Sequence, residues 1–432
     1  MVSRLVAILS LTLLVLPAQA QRLRCGTPAL DYAAGAPGDG PTDCGYLTNK
    51  PQSMYDPTFL YHIPVVFHVI QNTAGNGRLN LSTLQDQIDI LNEDFQAIAG
   101  SPGAPGTNGM IRFHLATEDP GGKPTNGVTY TTNNNWYNDN GKYWNTLAWD
   151  TNRYLNIYTN AVPCCYGYIS LWASRGAAGK AKDRVVLWWE AVGRKPTNGW
   201  PKNMGRTATH EVGHYLGLYH TFDGGCGTAS NCYGTGDLIC DTNMEAKDTT
   251  GCPTSKSSCG NSDPIHNYMD YSDDPCLWEF TPEQVNRMRC TLVHWRPKLF
   301  SLSANATSLG TGCIASGQPP ALSGTPPVLG KTAKVSVRSA PQSKPGMNIL
   351  GAPHAGIKFG PTCVVYVDLG LPIITIPFLT DGTGSWQTPA ISVGTSTSLL
   401  GTTVGWQAGI HDPATVPFSL ALTNGLRLRI GR

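Results

Sequence analysis

The chain has 432 residues, and its formal net charge of +2 with 14% charged residues gives it no strong electrostatic bias. No basic tract is present, so the composition argues against nucleic acid as a partner. The 13 cysteines are instead typical of a protein that folds in an oxidising compartment.

The first 20 residues have the pattern of a secretory signal peptide. Arg4 precedes the apolar run LVAILSLTLLVL, and Pro17 leads into the small-residue cleavage site AQA. The apolar run is too short to span a bilayer, and no later stretch approaches the roughly 18 uninterrupted apolar residues that a span needs. We therefore predict a signal peptide over residues 1–20 and a secreted, extracellular protein with no membrane span.

Residues 21–58 are rich in Gly, Pro, Asp and Thr and show little periodicity, which predicts a propeptide that runs over the surface. The apolar run HIPVVFHVI (62–70) then predicts a buried strand. Over residues 82–97 the apolar positions are spaced by 4, 3 and 4 residues, so we predict an amphipathic helix with Ser82 or Thr83 as its N-cap. Two alternating segments predict further strands, MIRFHLAT (110–117) and YLNIYTN (154–160).

Residues 210–220 read HEVGHYLGLYH, which fits the zinc-peptidase pattern H-E-x-x-H-x-x-G-x-x-H. On a helix, His210 and His214 are four residues apart, so both imidazoles leave the same face. Gly217 can take the left-handed conformation that ends a helix, and the resulting turn brings His220 back as a third nitrogen ligand. Three protein ligands leave a fourth zinc position open for water, which is the catalytic arrangement.

Glu211 lies one residue round the helix from His210, so it can reach a metal-bound water without being a ligand. Zinc lowers the pKa of its water to about 7 and polarises a substrate carbonyl. We predict that Glu211 takes the proton of that water as general base and passes it to the leaving amine. A metal-free histidine pair is the alternative, but it leaves the glycine and the third histidine at fixed spacing unexplained. The pattern therefore predicts a zinc-dependent endopeptidase that acts on proteins or peptides.

The chain around this motif resembles the pappalysin family of metzincin peptidases, in particular the ulilysin-like or cytophagalysin-like secreted bacterial enzymes. The resemblance covers roughly residues 22–295 and departs at Asn243, where relatives usually have proline. It implies a catalytic domain over residues 59–299 with an α+β metzincin fold, which combines a mixed twisted sheet, a zinc-binding helix and an irregular, disulfide-stapled lower half. The resemblance rests on HEVGHYLGLYHTF (210–222), GDLICDT (236–242), DPIHNYMDYSDDPC (263–276) and FTPEQVNRMR (280–289), with HIPVVFHVI and LNEDF (91–95) upstream.

The resemblance also implies roles for two residues in NYMDY (267–271). Metzincins carry a methionine turn beneath the zinc, downstream of the third histidine, and Met269 fits that place. Tyr271 is implied as a hydrogen-bond donor to the tetrahedral intermediate. The alternative is a buried methionine and tyrosine in an ordinary turn.

By the same analogy, CYGYISLW (165–172) is the edge strand that borders the cleft. An edge strand offers unpaired N–H and C=O groups with which an extended peptide can pair. Tyr168, Ile169 and Ser170 are therefore our predicted substrate-binding residues. An ordinary interior strand is the alternative.

Cys25, in RLRCGTP (22–28), follows the predicted signal peptide closely. A thiolate is a strong zinc ligand, so an N-terminal cysteine folded over the cleft would fill the open zinc position and silence the enzyme. Similar N-terminal cysteines in the resembled family act as a cysteine switch, which implies a zymogen. The alternative is a simple disulfide, with Cys44 as the obvious partner; we favour the switch.

Acidic residues concentrate after the zinc-binding motif, in a region where the resembled family binds calcium. Calcium prefers carboxylate and carbonyl oxygens. Asp237, Asp241 and Thr242 are therefore the candidate calcium ligands, and solvated loop carboxylates are the alternative.

Seven of the cysteines fall between residues 226 and 290, and the absence of a C-x-x-C pair there favours disulfides over a second zinc site. Cys164 and Cys165 are adjacent, and we expect them to bond to different partners. The resemblance implies a Cys252–Cys276 bridge and a pairing of Cys259 with Cys226 or Cys232. Cys313 and Cys363 are candidates for a bridge in the C-terminal part.

The sequence leaves the side-chain preference of the predicted peptidase open. Some ulilysin-like relatives prefer a basic residue after the cleaved bond and carry an acidic residue just before the cysteine that follows the methionine turn. That position is Pro275 here, although Asp273 and Asp274 are close by.

Beyond the catalytic domain, residues 300–330 are rich in Ser, Gly, Thr and Pro and are predicted to be a linker. Residues 331–432 contain short alternating runs separated by Gly and Pro turns, which predict a β-sandwich. This part resembles a module found at the C-terminus of secreted planctomycete proteins, and its partner is not readable. Two rival functions are a catalytically silent binding or adhesion protein and a zinc hydrolase of non-peptide amides. The intact HExxH motif argues against the first, and the predicted cleft edge favours peptides over the second.

Overall fold

The structure, a computed structural model, describes residues 22–34, 43–195, 204–360, 362–395, 399, 401–415 and 418–431. The predicted signal peptide over residues 1–20 lies outside the described residues. Where the chain is described, its first part combines a mixed sheet with helices, and the rest is built from strands. The predicted fold class, an α+β domain followed by an all-β region, is confirmed.

Strands and helices alternate in the first part of the chain. The α-helices are α1 Leu81–Gln96, α2 Asn134–Tyr137, α3 Trp144–Leu147, α4 Arg206–Tyr215 and α5 Pro282–Trp295. Short 3-10 turns lie at Tyr32–Ala34, Ser53–Tyr55, Ala173–Arg175, Trp189–Ala191, Ala229–Asn231 and Asp274–Cys276. The strands are β1 Leu23–Cys25, β2 Tyr61–Gln71, β3 Ile111–Leu115, β4 Val128–Thr132, β5 Leu155–Asn160, β6 Cys165–Ile169, β7 Val185–Trp188, β8 Ser257–Ser258, β9 Asn261–Ser262 and β10 Ser301–Leu302.

The strand β2 lies at the centre of an eight-stranded sheet with the order β1-β6-β7-β5-β2-β10. β3 and β4 pair in parallel with successive halves of β2, and β5 pairs in parallel with its middle. Because β2 has partners on both edges and is largely buried, its sequence is a nearly continuous apolar run. The buried strand predicted at residues 62–70 is therefore confirmed.

Helix α1 packs on β3 and α4 through its predicted apolar face, and all four apolar positions that set the spacing are buried. The prediction of Ser82 or Thr83 as N-cap was wrong. The N-cap is Asn80, because its side-chain oxygen accepts a hydrogen bond from the Thr83 amide at 2.8 Å. An asparagine just before the first helical turn satisfies an N–H group that would otherwise lack a partner.

Helix α4 is buried along its whole length and packs on α1, β6 and β7. Arg206, its first residue, forms an ion pair of 3.0 Å with Asp94 of α1, and both side chains are fully buried. Asp94 also accepts a hydrogen bond of 2.6 Å from the Thr209 hydroxyl. These two contacts fix the rotation of α4, which carries the predicted metal ligands, relative to α1.

The N-terminal segment does not behave as one surface-running propeptide. Strand β1 adds to the sheet by pairing in parallel with β6. Further on, Cys44 is bonded to Cys290 of α5, and the Arg287 guanidinium donates to the carbonyls of Gly45 and Thr48. The propeptide over residues 21–58 stays a prediction, and a covalent tie holds its part from Cys44 onward to α5.

Cysteine pairing uses every described cysteine except Cys25, which is a buried free thiol. The Cys44 alternative for Cys25 is excluded by the bond to Cys290. The expectation that Cys164 and Cys165 bond to different partners was wrong, because they pair with each other. The remaining bridges are Cys226–Cys259, Cys232–Cys240, Cys252–Cys276 and Cys313–Cys363.

The C-terminal part is all-β, with a core of its own that includes Val335, Val337, Trp406 and Ile410. Its main sheet has the order β11-β23-β21-β15-β18, with β22 beside β21, and it faces the smaller sheets β12-β14-β19 and β13-β20; β16 pairs with β17. The strands are β11 Asn305–Leu309, β12 Ala321–Gly324, β13 Thr332–Ala333, β14 Val335–Arg338, β15 Pro345–Gly351, β16 Pro353–Phe359, β17 Cys363–Val367, β18 Ile374–Leu379, β19 Trp386–Gln387, β20 Ile391–Ser392, β21 Thr403–His411, β22 Leu420–Leu422 and β23 Gly425–Arg429.

The predicted linker over residues 300–330 was wrong. β10 pairs with β2 in the first sheet, whereas β11 and β12 belong to the C-terminal sheets. Ser, Gly and Thr suggested irregular chain, but strand pairing at long sequence separation overrides local composition. None of the helices in the described ranges is both long and apolar enough to cross a bilayer.

Candidate metal centre

Three histidine side chains converge at the end of α4 and in the turn that follows it. The Nε2 atoms of His210 and His220 each lie 3.0 Å from Nε2 of His214. All three residues are buried. The side chains that the sequence predicted to share one metal therefore come together.

The second ring nitrogens of these histidines fix their tautomers. Nδ1 of His210 lies 2.7 Å from the Tyr268 carbonyl, and Nδ1 of His214 lies 2.7 Å from the Leu218 carbonyl. A carbonyl only accepts, so each ring carries its proton on Nδ1 and presents an unprotonated Nε2 to the cluster. Acceptor nitrogens at 3.0 Å repel one another unless a cation binds them, and imidazole is a preferred ligand of Zn²⁺. The residues present thus fit a zinc ion.

Electrostatics also keep these ligands neutral. Burial lowers the pKa of His210 well below its ordinary value, and the neighbouring imidazoles of His214 and His220 lower it further. Burial, followed by His220, lowers the pKa of His214 in the same direction. A neutral imidazole is the form that binds a metal.

The chain geometry after α4 depends on glycine. Gly217 has φ of 96°, a left-handed conformation that side chains rarely adopt, and the turn there returns His220 to the cluster. Gly213 faces Met269, and a Cβ on it would approach the methionine sulfur to 2.6 Å. Met269 is fully buried against α4, in the position predicted for the methionine turn.

Glu211 is fully buried beside the histidine cluster. Its Oε2 accepts a hydrogen bond of 2.8 Å from the Thr27 hydroxyl. Burial raises the pKa of Glu211 to about 8, and hydrogen bonds from Cys25 and Thr27 together with the charge of Arg24 act in the opposite direction. A carboxyl group with a pKa near neutrality is suited to accept and return a proton.

Cys25 joins the histidine cluster from the N-terminal segment. Its Sγ and the ligand nitrogens of the three histidines all lie within 4.8 Å of one another. The Thr27 amide donates to Sγ at 3.2 Å. Burial and the charge of Glu211 raise the pKa of the Cys25 thiol well above its ordinary value, and a bound metal would favour the thiolate instead.

Tyr271 lies beside His210 and His220 in the cluster. Its hydroxyl is 3.2 Å from Nε2 of His220. Burial raises the pKa of Tyr271 above its ordinary value, with the charges of Cys25 and Glu211 adding to the effect. The phenol is therefore protonated and can donate a hydrogen bond at the centre.

An unpredicted ion pair anchors the N-terminal segment. Arg24 Nη1 lies 3.0 Å from Asp274 Oδ1, and both side chains are almost completely buried. The other oxygen of Asp274 accepts from the amides of Met204 and Arg206. The sequence did not predict the roles of Arg24, Thr27 and Asp274. Their signal was the position of Arg24 and Thr27 in RLRCGTP (22–28), the segment that contains Cys25.

Of the predicted substrate-binding residues, Ile169 contacts the N-terminal segment, whereas Tyr168 and Ser170 contact other parts of the chain. The backbone of β6 holds the N-terminal segment, because the Gly167 carbonyl accepts from the Gly26 amide at 2.9 Å and the Ile169 amide donates to the Thr27 hydroxyl at 2.9 Å. Tyr168 turns its hydroxyl away, toward Asp139. Ser170 follows the strand and contacts the Lys182 carbonyl. In the described chain β1 is thus the outer neighbour of β6.

The candidate calcium residues are only partly brought together. The Thr242 hydroxyl donates to Asp237 at 2.7 Å, next to an enclosed cavity of about 10 Å³, which is room for one ion or water. Burial raises the pKa of Asp237 to about 8. Asp241 instead accepts from the Glu283 amide at the start of α5.

Comparisons with known proteins identify relatives of this chain. The chain matches the Peptidase_M43 family model, described as pregnancy-associated plasma protein-A, over residues 138–293. An extracellular metalloprotease of Colletotrichum graminicola is 38% identical over 237 residues, which are 52% of this chain and 74% of that protein. Another, of Podospora anserina, is 40% identical over 247 residues, 54% of this chain and 74% of that protein. Mature mirolysin of Tannerella forsythia, solved in complex with a cleaved peptide, is 34% identical with a TM-score of 0.48, and the match covers 56% of this chain and 96% of that one.

Proposed function

The chain belongs to the Peptidase_M43 family and is a metallopeptidase, and from this premise we propose that it is a secreted zinc endopeptidase made as a zymogen. The observation that carries the proposal is the convergence of the Nε2 atoms of His210, His214 and His220 with the Cys25 thiol in one buried cluster. Relatives that are named extracellular metalloproteases support secretion.

Each residue of the centre has a separate role in the proposed peptide hydrolysis. His210, His214 and His220 would hold the zinc, which supplies a Lewis acid and an acidified water. Glu211 accepts a proton at its carboxylate and returns it to the leaving nitrogen. The Tyr271 hydroxyl donates a hydrogen bond to the oxyanion that develops on the scissile carbonyl.

Latency follows from the N-terminal segment. Cys25 takes a ligand position at the histidines, Thr27 occupies a carboxylate oxygen of Glu211, and β1 covers the edge of β6. Each contact uses a group that a substrate or the catalytic water requires. Activation therefore requires this segment to leave, and the removable part ends before Cys44, which remains bonded to α5.

A preference for basic side chains is supported by the Arg24–Asp274 pair. When the N-terminal segment leaves, Asp274 loses its ion pair with Arg24, the residue next to Cys25 in the chain. Asp274 then remains as a buried hydrogen-bond acceptor. A buried carboxylate that loses its cationic partner is costly, so a substrate arginine or lysine at this place restores the lost interaction. We therefore propose Asp274 as the acidic residue that selects a basic side chain.

A structural calcium ion at Asp237 is the second cofactor that we propose. The buried carboxylate, the adjoining Thr242 hydroxyl and the surrounding loop carbonyls offer the oxygen donors that calcium prefers. Asp241 contributes to the same region through the N-terminus of α5.

Peptide cleavage tests the proposed function directly. Activated protein and its Glu211→Ala variant are incubated with a proteome-derived peptide mixture, and the new termini are sequenced. We expect cleavage in the wild type only, with basic residues beside the cleaved bonds, while both proteins bind one zinc. Equal termini in the two samples would favour a silent binding protein or a hydrolase of non-peptide amides.

A further inference from the structure

Two arginines of the N-terminal segment face the same side of the cleft. Arg22 and Arg24 are two residues apart on extended chain, so their side chains leave on the same face. Leu23, between them, points outward and is 63% exposed. Arg24 occupies Asp274, and Arg22 has a separate set of contacts.

The contacts of Arg22 form a shelf that we define as Trp188, Tyr166 and the carbonyls of Val162 and Cys165. The Arg22 guanidinium lies 4.3 Å from the centre of the Trp188 ring. Its Nη1 contacts the Val162 carbonyl and lies 3.5 Å from the Cys165 carbonyl. The Tyr166 ring packs beside Trp188 with 5.5 Å between ring centres.

This shelf favours a cation over an acidic or an aliphatic side chain. Tryptophan presents the most electron-rich face among aromatic residues, and the two carbonyls only accept. A planar guanidinium can stack on the ring and donate to the carbonyls at the same time. An acidic side chain meets only acceptors here, and an aliphatic one leaves both carbonyls without a donor.

One stretch of chain connects the shelf and Asp274. Arg24 of β1 pairs with Asp274, and Arg22, which contacts the shelf, directly precedes β1. β1 itself pairs with β6 in register, with Leu23 opposite Cys165. A substrate that lies along β6 in extended form passes both places at a spacing of two residues.

We propose that the shelf is a second cation subsite of the active enzyme, so that preferred substrates carry two basic residues at alternate positions, Arg-x-Arg. This inference rests on the proposed function, because it requires that substrates replace β1 along β6. The alternate spacing holds for either direction of the substrate chain.

The first arm of the test measures cleavage. Fluorogenic peptides containing Arg-x-Arg, Arg-x-Ala or Arg-x-Glu, with one arginine beside the cleaved bond, are compared on the activated enzyme. We expect kcat/KM to be about fivefold higher for Arg-x-Arg than for Arg-x-Ala, as one cation–π contact predicts, and lowest for Arg-x-Glu. In the Trp188→Leu variant, the ratio of kcat/KM for Arg-x-Arg to kcat/KM for Arg-x-Ala should fall toward one. Partial loss of folding lowers both values equally and leaves this ratio unchanged.

The second arm measures binding without cleavage. The hexapeptide RLRCGT, residues 22–27, is titrated into the activated protein; its binding is measured by calorimetry, and its inhibition is measured by peptide cleavage. Replacing Arg22 by Ala should weaken both about fivefold, while the matched control Leu23→Ala, at the exposed position, should change them less than twofold.

The outcomes separate the two proposals. If peptides are cleaved but neither the Arg-x-Arg advantage nor the Arg22 effect on inhibition appears, the second subsite is wrong and the peptidase stands. If no peptide is cleaved while hexapeptide binding still depends on Arg22, the peptidase proposal fails and the cation subsite stands.

Discussion

At the residue scale, the centre depends on polar groups that have one partner in the present state and need another for catalysis. The Glu211 carboxylate accepts a hydrogen bond from the Thr27 hydroxyl, and the Cys25 sulfur faces three histidine nitrogens. Burial of such groups is favourable only when they are paired, so the histidine nitrogens and the Cys25 sulfur point to a bound cation. Exchange of partners, rather than a change of fold, is therefore the expected difference between latent and active enzyme.

Cys25→Ala should shorten the lag before the precursor becomes active. Loss of a sulfur ligand weakens the hold of β1, so we expect activation about tenfold faster, equivalent to roughly 1.4 kcal/mol. Peptidase activity against time after purification measures this. Leu23→Ala, at the exposed position of β1, serves as control and should keep the wild-type lag. Equal lags for Cys25→Ala and wild type would contradict the cysteine switch.

Tyr271→Phe should lower turnover without loss of zinc. Removal of one donor to a developing oxyanion typically costs about 100-fold to 1,000-fold in kcat, and KM should change little. The comparison with Tyr130→Phe, an exposed tyrosine of β4, controls for the substitution itself. Measurement of the zinc content alongside the kinetics distinguishes loss of the oxyanion donor from loss of the metal. A Tyr271→Phe variant that is depleted of zinc would assign Tyr271 a structural role.

At the element scale, β6 is the strand whose outer edge β1 covers. A strand with an open edge pairs readily with other chains, and β1 satisfies that edge in parallel orientation. Strand β1 is short, and two side-chain contacts hold it and the residues that follow it. Arg24 pairs with Asp274, and the Thr27 hydroxyl donates to Glu211. Such a segment can leave without disturbing the rest of the sheet.

The loop at Asp237 should bind calcium more tightly as the pH rises. Calcium requires the charged carboxylate, and the pKa of about 8 means that the calcium-free folded state holds a proton there at neutral pH. Binding then releases that proton, so affinity increases between pH 6 and pH 8, by up to about tenfold per pH unit, and levels off above. The rise in melting temperature on calcium addition should be larger at pH 8 than at pH 6.

Two variants make this calcium test specific. Asp237→Asn should abolish the calcium-dependent rise in melting temperature. Asp241→Asn should retain most of it, because that carboxylate already accepts from the Glu283 amide. If calcium leaves the melting temperature of zinc-loaded protein unchanged at every pH, the site is a solvated or protonated carboxylate and the proposal is wrong.

At the scale of the whole molecule, two hydrophobic cores share one chain. The larger core takes residues from Leu30 to Leu302, and the core of the C-terminal sheets takes residues from Leu322 to Leu428. The short strand β10 completes the first sheet, with Phe300 packed against Tyr61 at 4.2 Å between ring centres. The boundary between the two units therefore follows β10.

Truncation should confirm this boundary. A chain that ends at Ser303 retains the complete first core, and we expect peptidase activity within about twofold of the full chain. A chain that ends at Pro297 loses Leu299, Phe300 and Leu302, which are buried, at a cost of roughly 1.5–3 kcal/mol each. Thermal unfolding of the two truncated proteins checks this; equal melting temperatures would place the boundary elsewhere.

The sequence by itself determined what depends on local spacing. The four-residue interval between His210 and His214 specifies one helix face, and Gly217 specifies the turn that returns His220. The apolar spacing of α1 and the continuous apolar run of β2 were readable for the same reason. Periodicity reports secondary structure and the face that it buries, so these predictions needed no knowledge of the remaining chain.

Only the tertiary structure decided which distant residues meet. Thr27 bonds Glu211 across 184 positions and Arg24 pairs with Asp274 across 250, separations at which no local pattern constrains a contact. The Cys44–Cys290 bond, 246 residues apart, is what leaves Cys25 free to face the histidines. Composition likewise failed at residues 300–330, because pairing with β2 and β23 decides strand formation there. Contacts of this kind arise from packing the whole chain, and they turn a recognisable metal motif into a regulated site.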